Sequence, residues 1–293
     1  SSQGVSSAAS DVYKRQSYGR SVFWEFETLQ EPEGWHSVPE DGFVWGQWDT
    51  EINTVETLSV SPQGLVLLLN STVTAVIHPT HRGDDVSRLS RYEPWKKALQ
   101  DQPILLPIGG WSVDGNDRVL LFPPHTAIPF DSQEPTVLEM VNKLGAIHSS
   151  LESFSTPNTE RRWNDRLKDV EDKLKTKTMW RAPHSTSTLG LPRLHLSLDS
   201  MVEVDGERMF LPLSRSLSEH LLCESDRLPS LASLMMLEHQ WARKQGLSEQ
   251  QRHDVLKAWS SSVPLAWSSR SALSTVKGGA WVWRCLLYTS DAA

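Results

Sequence analysis

The stretch Leu191-Pro-Arg-Leu-His-Leu-Ser-Leu-Asp-Ser-Met-Val-Glu-Val-Asp-Gly-Glu-Arg-Met-Phe-Leu-Pro-Leu-Ser214 decides the fold. It opens on an apolar approach, Leu194 to Leu198, and continues into a short strand, Met201 to Val204. Asp205-Gly206 supplies a two-residue turn, and Met209 to Leu213 reads as a second apolar strand. Asp-Gly between two apolar runs is a strong local hairpin signal, because both residues tolerate the positive φ values that a tight turn demands.

On either side of this hairpin the apolar period becomes helical. Val137, Leu138, Val141, Leu144, Ile147, His148 and Leu151 fall on one face of a helix, with Pro135 suited to its first turn. A charged helix is expected over Thr159 to Lys177, with Trp163, Leu167, Val170 and Leu174 as its apolar stripe and the remaining charges as a solvated face. Beyond the hairpin, Arg227 to Gln245 reads as a helix closed by Gly246. Ser248-Glu-Gln-Gln251, preceded by Leu247, has the spacing of a capping box that starts another.

The first third of the chain has a different texture. Phe23 to Phe26, Phe43 to Trp48, Val55 to Val60, Gly64 to Leu69 and Val73 to Ile77 are short apolar runs. Glu31-Pro-Glu-Gly34, Pro39-Glu-Asp-Gly42 and Ser61-Pro-Gln-Gly64 punctuate them with turn chemistry, so a meandering antiparallel sheet is expected. Trp24, Trp35, Trp45 and Trp48 are read as packing on that sheet, with stacking on a ligand ring as the alternative. Asn70-Ser-Thr has glycosylation spacing and is read as a strand end or turn. Val86, Leu89, Tyr92 and Leu99 have helical spacing that Pro94 must interrupt. Strands are expected at Ile104 to Ile108 and Arg118 to Phe122, joined by a turn at Asp114-Gly-Asn-Asp117. Leu120 to Phe130, with its Pro123-Pro124 pair, is expected to be an extended connector lining a cleft between two lobes.

Composition narrows the classes. With 38% hydrophobic and 22% charged residues, the chain can bury a core of enzyme size. Its longest apolar run, Leu65 to Leu69, falls far short of the roughly 20 residues of a membrane span. A net charge of -7 disfavours general nucleic-acid binding. Residues 1–16 and 285–293 resemble translated sequencing-adapter read-through in assembled environmental reads, and are set apart as leader and tail. That leaves Cys223 as the one cysteine of the remainder, so a reducing, cytoplasmic setting is expected.

The order of elements is a strand-rich lobe containing one helix, a two-proline connector, a long helix ending Leu144-Gly-Ala-Ile-His148, a charged helix, the hairpin, then further helices. In this order, in that helix ending and around Asp226-Arg-Leu-Pro-Ser-Leu-Ala232, the chain resembles the aminoglycoside phosphotransferase and choline kinase group, which shares the protein-kinase fold. The resemblance implies an α+β, two-lobed, kinase-like architecture: an N-lobe with connector over residues 17–130 and a helical C-lobe over 131–284. In that group His148 is structural, and the hairpin follows a His-Gly-Asp-x-x-x-x-Asn loop and ends in a metal-binding Asp.

Phosphoryl transfer needs a Lys on the phosphates, a carboxylate at the attacking hydroxyl and two Mg²⁺ ligands. The resemblance puts His78 where the Lys would stand and Glu93 as its helix partner. Counting back from Val202 puts Met201 at the Asn position and Leu196 at the catalytic Asp; aligning on His195 puts Ser200 and Ser197 there instead. The terminal metal ligand falls near Leu213-Ser214, and no Gly-rich loop is recognisable. Asp199 is the candidate catalytic acid in the loop, with Glu203, Asp205 and Glu207 nearby. His78-Pro-Thr-His81 and the separate His184, His195 and His220 are not assigned as a metal site, since there is one cysteine and no helical His pair. Nucleophile-elbow, Walker and dinucleotide motifs are missing from the sequence.

The leading expectation is therefore a kinase-like protein with degenerate catalytic motifs, acting by binding or regulation on an unidentified small molecule or protein. One alternative is an active small-molecule kinase with relocated acids, and ATP with Mg²⁺ enters only on that alternative. The other is an interaction protein unrelated to nucleotides.

Overall fold

A computed structural model describes residues 35–48, 51–61, 64–77, 93–113, 116–157, 189–192, 194, 196–212 and 227–268. Outside the described residues lie the expected strand at Phe23–Phe26, the helical spacing from Val86 to Tyr92 and the charged helix Thr159–Lys177. Trp24, Leu213-Ser214, and the histidines at 78, 81, 184, 195 and 220 lie outside them too.

The chain begins with β1 (Phe43–Gly46), β2 (Val55–Ser61), β3 (Gly64–Leu69) and β4 (Val73–Ile77), followed by α1 (Glu93–Leu99). Next come β5 (Gly109–Val113), β6 (Asn116–Phe122) and the short β7 (Thr126–Ala127), then the long helix α2 (Glu134–Ser150). After β8 (Thr156–Pro157) and β9 (Leu189–Pro192), a 3-10 turn at Leu198–Ser200 leads into β10 (Met201–Val204) and β11 (Glu207–Phe210). Then follow β12 (Arg227–Pro229), α3 (Ser230–Gln245), α4 (Glu249–Ser260) and α5 (Leu265–Ser268). The architecture is α+β: an antiparallel-sheet N-terminal part and a helical C-terminal part.

β1 to β6 form a six-stranded antiparallel sheet in the order β1-β5-β6-β4-β3-β2. Alternation in β3 sets its two faces. Leu65, Leu67 and Leu69 are at most 1% exposed and share a face with Ala75, Ile77, Trp111, Val119 and Leu121. The opposite face carries Val76, Leu120 and Phe122, which pack against Val202 and Leu211 from the region of the hairpin. Each such leucine, removed from water, contributes about 1.5–3 kcal/mol.

The hairpin forms where expected, in tighter register. Val204 pairs with Glu207, so the turn is Asp205-Gly206 alone, with φ of 52° and 82°. That is the twist-matched two-residue turn favoured between antiparallel strands. Gly206→Ala should cost about 1 kcal/mol through backbone conformation alone, since a Cβ there would meet nothing within 4 Å. A denaturant midpoint measurement checks this.

Three expected boundaries are corrected. The second hairpin strand is Glu207–Phe210 rather than Met209 to Leu213, because Phe210 turns to another partner: its N–H donates to Pro103 O at 3.0 Å, and its carbonyl accepts from Leu105 N at 2.8 Å. The same contacts occupy Ile104 to Ile108, which forms only an isolated bridge at Ile104, and the strand moves on to Gly109–Val113. The helix expected from Arg227 begins at Ser230, since Arg227–Pro229 pairs with β9. Pro229 pushes the residue before it toward extended conformations, which suits a strand.

Past Phe122 the chain runs extended to α2. Within it β7 joins the hairpin as a third strand, pairing Ala127 with Val202 and Thr126 with Glu203. α2 has Pro135 in its first turn and buries Thr136, Val137, Met140, Val141, Leu144, Gly145, Ile147 and His148. Its face is wider than the sequence stripe because α3, α4 and the hairpin region all reach it. Gly145 lets α4 approach closely, as a Cβ there would lie 2.8 Å from Ser262 Cβ and 2.9 Å from Trp259 O. The capping box at Ser248 and Gln251 is present in both directions, and Gly246 closes α3 with φ of 69°.

Candidate functional site at the hairpin base

The loop entering β10 is buried and apolar. Leu194, Leu196, Leu198 and Met201 are at most 7% exposed, and Ser197 and Ser200 are fully buried. Ser197 caps the 3-10 turn, its Oγ accepting the Asp199 backbone N–H at 3.2 Å. Gln240 on α3 holds this turn from outside: its Nε2 donates to Ser197 Oγ at 2.7 Å, and its Oε1 accepts from Leu198 N at 2.9 Å. Sequence reasoning missed Gln240, since a glutamine within a helix carries no signal of a partner 42 residues upstream. Ser200 Oγ is buried without a hydrogen-bond partner, a local cost of about 1–3 kcal/mol.

Of the residues matched to catalytic positions, Leu196, Ser197, Ser200 and Met201 are therefore enclosed side chains without a carboxylate. Asp199 is exposed at the turn. Glu93 opens α1; its side chain, like the whole of His78, lies outside the described residues. Among the described residues no group of three or more His, Cys, Asp or Glu is placed to hold a metal ion.

The acids Glu203, Asp205 and Glu207 gather at the far end of the hairpin with Glu139, Lys143 and Arg208, around a shallow depression of about 340 Å³. Lys143 Nζ lies 3.0 Å from Glu139 and 3.7 Å from Glu207, and it donates to Arg208 O at 2.6 Å. Arg208 in turn bonds Glu139 at 2.9 Å. Burial pushes the Glu139 carboxyl up, but the hydrogen bonds and charges of Lys143 and Arg208 outweigh it and hold the group below the usual carboxylate range. This network fastens the hairpin to α2.

His148 serves a joint between helices. Its Nδ1 accepts from Trp259 Nε1 at 3.0 Å, the rings meeting edge-on at 6.2 Å between centroids. Burial pushes its pKa down to about 3, so the imidazole is neutral. Near the connector His125 is also held below its ordinary range by burial, against a contact of 2.9 Å with Pro123 O.

The sheet and the hairpin meet through one apolar cluster. Val76, Leu120 and Phe122 pack with Val202 and Leu211, and Trp45, Val66, Val204 and Met209 complete its edges.

No protein-family model matches the chain. A search of curated proteins likewise returned no match. Solved structures do resemble it. A glucosamine kinase superposes with a TM-score of 0.50 at 7% identity, over 87% of this chain and 78% of that one. Glucosamine kinase in complex with glucosamine, ADP and inorganic phosphate gives 0.50 at 6% identity, over 88% and 81%. Choline kinase LicA from Streptococcus pneumoniae gives 0.45 at 12% identity, over 83% and 88%. At this identity the glucosamine kinase likeness shows the fold alone, and that fold is kinase-like.

Proposed function

We propose that this protein has a phosphotransferase fold without phosphotransferase chemistry, and that it acts by binding or regulation. The observation that carries this reading is the enclosed leucine, serine and methionine side chains where the resemblance places the catalytic loop. Apolar packing between Val76, Leu120 and Phe122 on the sheet and Val202 and Leu211 beside it supports the reading further. Phosphoryl transfer is catalysed almost entirely by positioned charge, and hydrocarbon surface supplies none. Relocated acids are poorly placed for it: the four residues of β10, about 13 Å of extended chain, separate Ser200 from Asp205.

Lobe limits at residues 17–130 and 131–284 belong to the same proposal, as does a cytoplasmic location, which the single cysteine between residues 17 and 284 supports. No described helix is long and apolar enough to cross a membrane.

Titration calorimetry of the full chain with ATP and Mg²⁺ tests the reading. Weak or undetectable binding is expected, because among the described residues a triphosphate has little positive charge to meet at the hairpin base. Micromolar affinity that depends on Mg²⁺ would overturn it.

A further inference from the structure

A second concave site lies on the other face of the sheet, away from the hairpin. Its floor is Val55, Leu69 and Leu121 on one face of the sheet, Val55 and Leu69 paired across β2 and β3 and Leu121 on β6, with β4 between. Trp48 and Ile52 form the walls, Trp35 packs behind them at 5% exposed, and His36 stands at the rim of a half-open depression of about 390 Å³. That volume falls within the ~300–1,000 Å³ of small-molecule sites.

The wall is held in place before any ligand arrives. Asn70, in the left-handed region with φ of 50°, turns its side chain onto the segment before β2. Its Oδ1 accepts from Asn53 N at 2.8 Å and Thr54 N at 3.1 Å, while its Nδ2 donates to Glu51 O at 2.6 Å. The backbone closes the same contact, with Asn70 N donating to Thr54 O at 3.0 Å. Ile52 thus sits in a segment fastened on both sides, which lowers the ordering cost of binding.

The lining also limits the ligand. Among the described residues the lining has no Asp, Glu, Lys or Arg, so those side chains offer a charged ligand no opposite charge in exchange for its hydration. Two indoles and an aliphatic floor favour a ring with an apolar face, and the His36 imidazole at the rim favours a hydrogen-bonding edge. A pyranose has both. We propose that the Trp35–Trp48 pocket is a binding site for a neutral saccharide of one or two rings. This goes beyond the reading of the hairpin and does not rest on it, since the pocket lies on the opposite face of the sheet.

The test is ligand-observed saturation-transfer NMR on the full chain with D-glucose, D-galactose and maltose, and with indole as an apolar competitor. Saturation transfer to at least one saccharide is expected, falling at least tenfold in Trp48→Ala and in Val55→Glu. Val55 is 40% exposed, so Val55→Glu charges the floor without opening the core and separates a lost site from a lost fold. Transfer to none of the three sugars, transfer that survives both pocket variants, or transfer to indole alone would each overturn the proposal. Either outcome of the ATP titration leaves it standing, so its failure and that of the proposed function are distinguishable.

Discussion

Trp259→Ala is expected to lower the stability of the protein by about 3–5 kcal/mol, the range for removing a large aromatic side chain from a packed core. Trp259 is fully buried in the main cluster of the helical part. It stands where α2 and α4 come closest, with its own carbonyl 2.9 Å from the place a Cβ would occupy on Gly145. Neither helix can collapse easily into the space it would leave, because Gly145 already sets the smallest separation that backbone allows. The truncation also takes the donor from His148 Nδ1, leaving a buried imidazole acceptor without its 3.0 Å bond. Urea denaturation followed by circular dichroism measures the change. A loss below about 1 kcal/mol, outside the range for such truncations, would show that the joint between these helices is not built as described.

Acidification is expected to destabilise the protein through His148. Its folded pKa is about 3, depressed by burial from the ordinary 6.5. As pH falls the unfolded chain therefore takes up this proton first. Stability is fully present above pH 6.5 and is lost as pH falls from there toward 3, at up to about 1.4 kcal/mol per unit. Between pH 7 and pH 5 the loss from this residue is about 2 kcal/mol. Trp259, whose N–H faces the ring, makes the protonated form worse, since a doubly protonated imidazole has no acceptor to offer it. In His148→Gln the slope between pH 6.5 and 5 should flatten by close to one proton, whatever the variant costs at neutral pH. Parallel slopes in the two proteins would contradict this assignment.

Local chemistry made several of these elements legible. The Asp205-Gly206 hairpin, the Ser248 capping box, the start of α2 at Pro135 and the alternation of β3 each depend on residues within a few positions, and each is found where the residues put it. Expectation and structure part where a distant partner decides. Ile104 to Ile108 has strand composition, but Phe210 takes up the backbone of Pro103 and Leu105 and moves the strand to Gly109. Arg227–Pro229 lies in a stretch read as helix, yet β9 claims it.

The site divides in the same way. That the loop before β10 carries leucine and serine was plain from the sequence; that these side chains are buried, and that Gln240 on α3 holds them, was not. Asp199 was legible as the one acid there, and its exposure is a fact of the fold. Packing was the preferred reading of Trp35 and Trp48. Both do pack, and they also line a cavity, because Asn70 fixes a neighbouring segment by contacts 16 to 19 residues long.

The central claim is that a kinase-like fold has been kept while phosphate transfer has not. ATP turnover by the full chain, compared with Asp199→Asn under saturating Mg²⁺, tests this most directly. The account predicts two equally silent proteins, with release of ADP at background in both. Turnover well above background in the unaltered protein that collapses in Asp199→Asn would contradict it.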